Sequence, residues 1–194
     1  MIAVAQTPVQ VTPQLIPPYT LQVSEYYSPQ VAGAEKLRVL LLNRDLLRPQ
    51  LTVRLRMIIE GQSLRIRTRE DVVFAPVTLI SGTPYYLSPT ELAQYFNADN
   101  LEFSGISRQQ YELNGKLPEG FYSFCFEAVE VQSNQLVSNR GCAFAWMTMN
   151  EPPFLNLPRK AEILAPRNPQ NIIFNWTPRH TASPTAAFNT DYIF

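Results

Sequence analysis

Residues 117–149 read LPEGFYSFCFEAVEVQSNQLVSNRGCAFAWMTM and hold both cysteines of the 194-residue chain. The first arm alternates, which places Tyr122, Phe124, Phe126 and Ala128 on one face of an extended strand. Gln132-Ser133-Asn134-Gln135 is polar and turn-like, and Leu136 opens a return arm, so the stretch predicts the longest hairpin of the chain. With those residues as the loop, Val131 faces Leu136 and Cys125 faces Cys142. The same register sets Glu127 against Arg140, an opposite-charge cross-strand pair. Directly opposed residues on antiparallel strands lie roughly 4.5–5.5 Å apart at Cα, within disulfide reach. The register therefore favours a Cys125–Cys142 bridge over a free reactive thiol, and a bridge implies an oxidising compartment. Phe144 and Trp146, further along the return arm, are core candidates beside it.

Composition agrees with a β-protein. Prolines outnumber glycines 17 to 7 and sit between β-like runs, as rigid corners do, rather than in a repeat. Charged residues make up 16% of the chain and the formal net charge is +0, so no global field steers it to nucleic acid or to an acidic membrane. No apolar run approaches the ~18 residues of a spanning helix, so no transmembrane segment is expected. With two cysteines and a single histidine, His180, a zinc site is not expected, nor any other cofactor. Ala3-Val4-Ala5 before Gln6 looks like the small-residue end of a secretory signal, and residues 1–18 as a whole suit a proline-rich leader.

Between the leader and the hairpin lies a run of short strands. Residues 19–27 suit an edge strand, residues 36–43 a stronger one, and residues 51–60 and 64–68 a hairpin turning at Gly61-Gln62. In that hairpin Val53, Leu55, Met57, Ile59, Leu64 and Ile66 share the buried face, while Arg54, Arg56, Arg65, Arg67 and Arg69 line the other. Mirror pairing about the turn would set Arg56 against Arg67 and Arg54 against Arg69, and opposed like charges repel. These five arginines are thus a candidate interaction face for an acidic partner or polysaccharide, unless Glu25, Glu60, Glu70 or Asp71 neutralises them. Residues 72–80 suit another strand, broken by Pro76. Ser88-Pro89-Thr90-Glu91 is a capping box that opens the one convincing helix, with Leu92, Tyr95 and Phe96 on its apolar face and Asn97 as its stop. Residues 101–103 suit a further strand. Residues 19–150 therefore read as an antiparallel β-sandwich, Ig- or macroglobulin-like, with one short helix.

Pro152-Pro153 closes that domain, and residues 151–194 read as the start of a second sandwich. Residues 154–157 and 161–164 suit its first strand and residues 172–176 its second. NIIFNWTP resembles the second strand of fibronectin type III domains, and Tyr192-Ile193-Phe194 the third. The expectation is an incomplete fibronectin type III-like domain at the end of an N-terminal piece of a longer protein.

The segments DLLRPQLTVRLRMIIEGQSLRIRTR, NADNLEFSGIS, GKLPEGFYSFCFEAVE, LVSNRGCAFAW, NEPPFLNLP and FNWTPRHTASPTAAFNTDYIF, taken in order, resemble the N-terminal region of TANFOR domain-containing proteins. The resemblance spans about residues 9–194. It implies a large secreted or surface-exposed protein of Bacteroidota in which this module precedes fibronectin-like repeats. It transfers no activity and no functional residue, though the cysteine pair fits its pattern.

The leading expectation for function is a non-enzymatic module for adhesion, protein–protein interaction or envelope assembly. It would lie outside the cell or on its surface, or in the periplasm. Its partners would be downstream fibronectin-like modules of the same chain and an envelope protein or surface glycan. The alternative is an accessory domain of a larger carbohydrate-active or other hydrolytic enzyme whose catalytic part lies beyond residue 194. Glu127 and Glu130, three apart on a strand, point to opposite faces and cannot flank one bond. Ser104-Gly105 lacks the context of a nucleophile elbow, and His180 sits on a loop beside Arg179. A protease-inhibitor-like or secretion-machinery subunit is a third reading, on fold analogy alone.

Overall fold

The computed structural model describes residues 7–28, 35–148, 154–159, 162–166 and 168–177. The chain divides into two compact units, residues 1–147 and 148–194. The first is an antiparallel β-sandwich. Its smaller sheet has the order β1-β2-β6, from Val9–Leu15, Leu37–Asn43 and Pro84–Tyr86. Strand β1 corrects the expected leader: Val9, Val11, Pro13 and Leu15 are buried in strict alternation. Proline is tolerated there because β1 is the edge strand of its sheet, with β2 as its one strand partner. The edge strand expected over residues 19–27 is instead a 3-10 helix, Val23–Tyr26, which buries Val23 and Tyr26.

The larger sheet is built around β3, Gln50–Glu60. One edge of β3 is shared by β5, Val77–Ile80, and β4, Arg65–Thr68. Its other edge pairs with β8, Gly120–Glu130, and the sheet runs on to β9, Gly141–Met147, while β7, Leu101–Ser104, lies outside β4. Between β5 and β4 the edge of β3 has no strand partner. The Leu55 N–H donates there to Tyr95 Oη at 3.4 Å, and the Met57 N–H to Thr68 Oγ1 at 3.2 Å. Side chains thus fill a break in the ladder, where buried backbone donors need partners.

Helix α1, Pro89–Phe96, carries the expected capping box and ends at Asn97, and Leu92, Tyr95 and Phe96 are buried. A second helix, α2, Arg108–Asn114, adds to the one expected from the sequence. Ser107 and Gln110 form its capping box, and Gly115 closes it at φ +57°. It buries Tyr111, whose hydroxyl donates to the Phe96 carbonyl at 2.9 Å.

The hairpin that decides the fold is present, with a change at its tip. The ladder pairs Cys125 with Cys142 and runs from Gly120 opposite Met147 to Phe126 opposite Gly141. Beyond Gly141 the return arm leaves β8, and Leu136 bridges Val129, not Val131. The displaced residues tie the two sheets together. The Val9 N–H donates to the Val137 carbonyl at 2.9 Å, and the Asn139 amide exchanges bonds of 2.9 and 3.1 Å with the backbone of Val11. Ser138 Oγ accepts the freed Ala128 N–H at 2.6 Å. Approach is so close that a Cβ on Gly141 would stand 2.2 Å from the Val11 carbonyl oxygen. Only glycine fits there.

Burial raises the phenol of Tyr95 from its ordinary 10.0 to about 12, and pushes up those of Tyr26 and Tyr111 as well. The unfolded chain therefore loses these protons near pH 10 while the folded chain keeps them. Their contribution to stability is complete below about pH 10 and is lost as pH rises towards about 12. The urea midpoint should fall over that interval, in step with phenolate absorbance. A midpoint that stays flat to pH 12 would contradict the buried placement of these rings.

The second unit holds a two-stranded antiparallel ribbon of β10, Phe154–Leu157, and β11, Asn175–Thr177. Residues 162–164 and 172–174, expected to be extended, are outside the strands. The signal-like start, the paired prolines, His180 and Tyr192-Ile193-Phe194 lie outside the described residues.

Candidate functional site

The larger sheet turns Val53, Leu55, Met57 and Ile59 of β3 inward, against the smaller sheet, and Arg54, Arg56, Ile58 and Glu60 outward. The expected division of the β3–β4 hairpin into a buried and an arginine-bearing face is therefore correct. The expected opposition of arginines is not. The ladder sets Arg67 opposite Ile58 and Arg65 opposite Glu60, two residues away from the mirror register. A two-residue shift keeps every side chain on its face while changing its neighbour.

That shift separates the five arginines into two groups. Arg65 pairs with Glu60 at 3.2 Å, Arg67 with Glu102 at 2.7 Å, and Arg69 with Asp71. The Arg69 hydrogen bond holds the Asp71 carboxyl below its usual range. Arg140 also reaches Glu60, at 3.2 Å, rather than the expected Glu127. Arg54 stands opposite Val129 and Arg56 opposite Glu127, and neither forms an ion pair among the described residues. With Arg69, Glu70, Val72 and Phe74 they border a shallow depression of ≈ 40 Å³.

At the other end of the same face lies a group of aromatics. Phe144 and Trp146, expected in the core, are 59% and 50% exposed, and Phe121 is 46% exposed. The cause is register. Trp146 opposes Phe121 and Phe144 opposes Ser123, so all of them share the outer face with the cysteines. Inward from β9 point Ala145 and Met147. The Phe121 and Phe144 rings lie 9° from parallel with centroids 6.0 Å apart. The predicted Cys125–Cys142 disulfide is present, with a Cα–Cα distance of 4.1 Å, and it staples β8 to β9 next to these rings.

The sequence reading found the arginines and missed the aromatic face. The signal was available, because placing Cys142 opposite Cys125 already puts Phe144 and Trp146 opposite Ser123 and Phe121, away from Phe124 and Phe126. Among the described residues no group of three or more His, Cys, Asp or Glu is placed to hold a metal ion, and no helix is long and apolar enough to cross a membrane. No known family, curated protein or solved structure matches the chain.

Proposed function

We propose that the chain is a non-enzymatic module of a secreted or cell-surface protein, serving adhesion, protein–protein interaction or envelope assembly. One observation carries this reading: three large aromatics, Phe121, Phe144 and Trp146, face solvent on a strand pair that a disulfide locks. Exposed aromatic side chains on a rigid support are what binding surfaces use, because they bury much area with little loss of side-chain freedom. Scattered single apolar residues would need no such explanation, but a contiguous group does. The disulfide favours an oxidising location outside the cytosol. The resemblance to TANFOR domain-containing proteins supports the same setting, with fibronectin-like modules following the sandwich.

Incubating the fluorescently labelled full chain with intact Bacteroidota cells and with isolated envelopes tests this. Saturable retention is expected, and it should drop when Phe144 and Trp146 are both changed to alanine. Absence of retention on cells and envelopes alike would defeat the reading.

A further inference from the structure

We propose that the outer face of the larger sheet binds an acidic polysaccharide of the uronic-acid type, with sugar rings on Phe121, Phe144 and Trp146 and carboxylates on Arg54 and Arg56. This inference rests on the non-enzymatic binding reading and names its partner.

The two halves of the site lie on the same face of the larger sheet. Outward positions of β8 run Phe121, Ser123, Cys125, Glu127 and Val129, and Arg54 stands opposite the last of these. Eight residues of strand separate Phe121 from Val129, a span of roughly 27 Å at the rise of an antiparallel strand. Several linked sugars fit that length, and an extended polymer can follow the strands from the aromatic end to the cationic one. A pyranose ring offers weakly positive C–H bonds on its flat side, which suit the negative face of an aromatic ring. Its hydroxyls need polar neighbours, and Ser123 lies directly opposite Phe144.

Charge decides between neutral and acidic sugars. Glu60 is held by both Arg65 and Arg140, and Glu102 by Arg67, so these carboxylates are already matched. Arg54 and Arg56 are left without an ion pair among the described residues, although Glu127 stands opposite Arg56 and Glu70 borders the same depression. A guanidinium is a planar fork that matches a carboxylate with two parallel hydrogen bonds. Shape decides between a polysaccharide and an acidic protein. Tight protein partners insert anchors into central pockets, and the depression beside Arg54 and Arg56 holds only ≈ 40 Å³. A depression that small suits a polymer lying across the face better than an inserted anchor.

Affinity electrophoresis of the full chain provides the test, in gels containing polygalacturonate, neutral hydroxyethylcellulose or polyglutamate. Retardation is expected in polygalacturonate alone, and it should fade as salt is added. The Phe144→Ala/Trp146→Ala variant should lose about tenfold or more in apparent affinity. Arg54→Ser/Arg56→Ser should remove the preference for the acidic gel. Circular dichroism on both variants shows whether they remain folded. No retardation, equal retardation in the neutral gel, retardation in polyglutamate without polygalacturonate, or folded variants that migrate like the parent would each overturn the proposal. Cell binding without retardation would overturn the polysaccharide and leave the adhesion reading standing. Loss of both would end both.

Discussion

Changing Phe124 to alanine is expected to destabilise the sandwich by about 3–5 kcal/mol, the largest effect of any single substitution considered for this chain. Phe124 is fully buried in the middle of β8, opposite Ile59 on one side and Ala143 on the other. Its ring meets that of Tyr26 at 5.1 Å, and Tyr26 in turn lies 6.4 Å from Phe96 of α1. Removing the ring therefore opens a cavity where β8, the 3-10 helix and α1 meet, and none of them can close it without leaving its other contacts. For a unit of this size each kcal/mol moves the melting temperature by about 2–4 °C. Thermal unfolding followed by circular dichroism should show a drop of about 6–20 °C. Phe144→Ala, one strand away, should lose under about 1 kcal/mol, because that ring is exposed and surrenders little beyond its contact with Phe121. Equal losses at the two positions would mean that the assignment of inner and outer faces is mistaken.

That pair of phenylalanines also marks how far the sequence could be read. Alternation identifies which residues share a face, and for β3, β4 and β8 it separated the buried set from the outward set. The capping box at Ser88 and the stop at Asn97 are local chemistry, legible without any tertiary information. Hydrophobicity then misled on β9, where the larger side chains are outside and Ala145 is inside. The core is already filled from β8 by Tyr122, Phe124 and Phe126, so small residues are what fit across from them. Strand β1 was hidden by Pro13 and the prolines that flank it, and an edge strand tolerates a proline that a central one does not. The arginine pairing failed because the two-residue turn is Gln62-Ser63 rather than the expected Gly61-Gln62, closed by the Gly61 N–H donating to the Leu64 carbonyl. Moving a turn by one residue moves every pairing by two. Capture of β1 by Ser138 and Asn139 is a long-range event, and no local pattern announces it.

Removing the Cys125–Cys142 bridge is the other change with a large expected effect. The cysteines are 17 residues apart in sequence, and closing a loop of that length lowers the entropy of the unfolded chain by roughly 3 kcal/mol equivalent at room temperature. Two features of the fold bear on how much of this survives. Cys125 is almost fully buried between Ile58 and Cys142, so replacing both cysteines with alanine also forfeits some packing. In the other direction, β9 keeps its ladder to β8, and Ser138 and Asn139 still tie the return arm to Ala128 and Val11. The native state should therefore persist with its aromatic face in place, while the unfolded state gains freedom. Melting of the Cys125→Ala/Cys142→Ala variant should come about 6–12 °C below the oxidised parent, and reduction of the parent should reproduce most of that shift. Affinity measured well below the melting temperature should change much less than stability, because Phe121, Phe144 and Trp146 are aligned by the ladder rather than by the sulfurs. Identical melting of reduced and oxidised chains would exclude the bridge as a source of stability. Loss of binding at temperatures where the ladder remains intact would show instead that the bridge sets the geometry of the face.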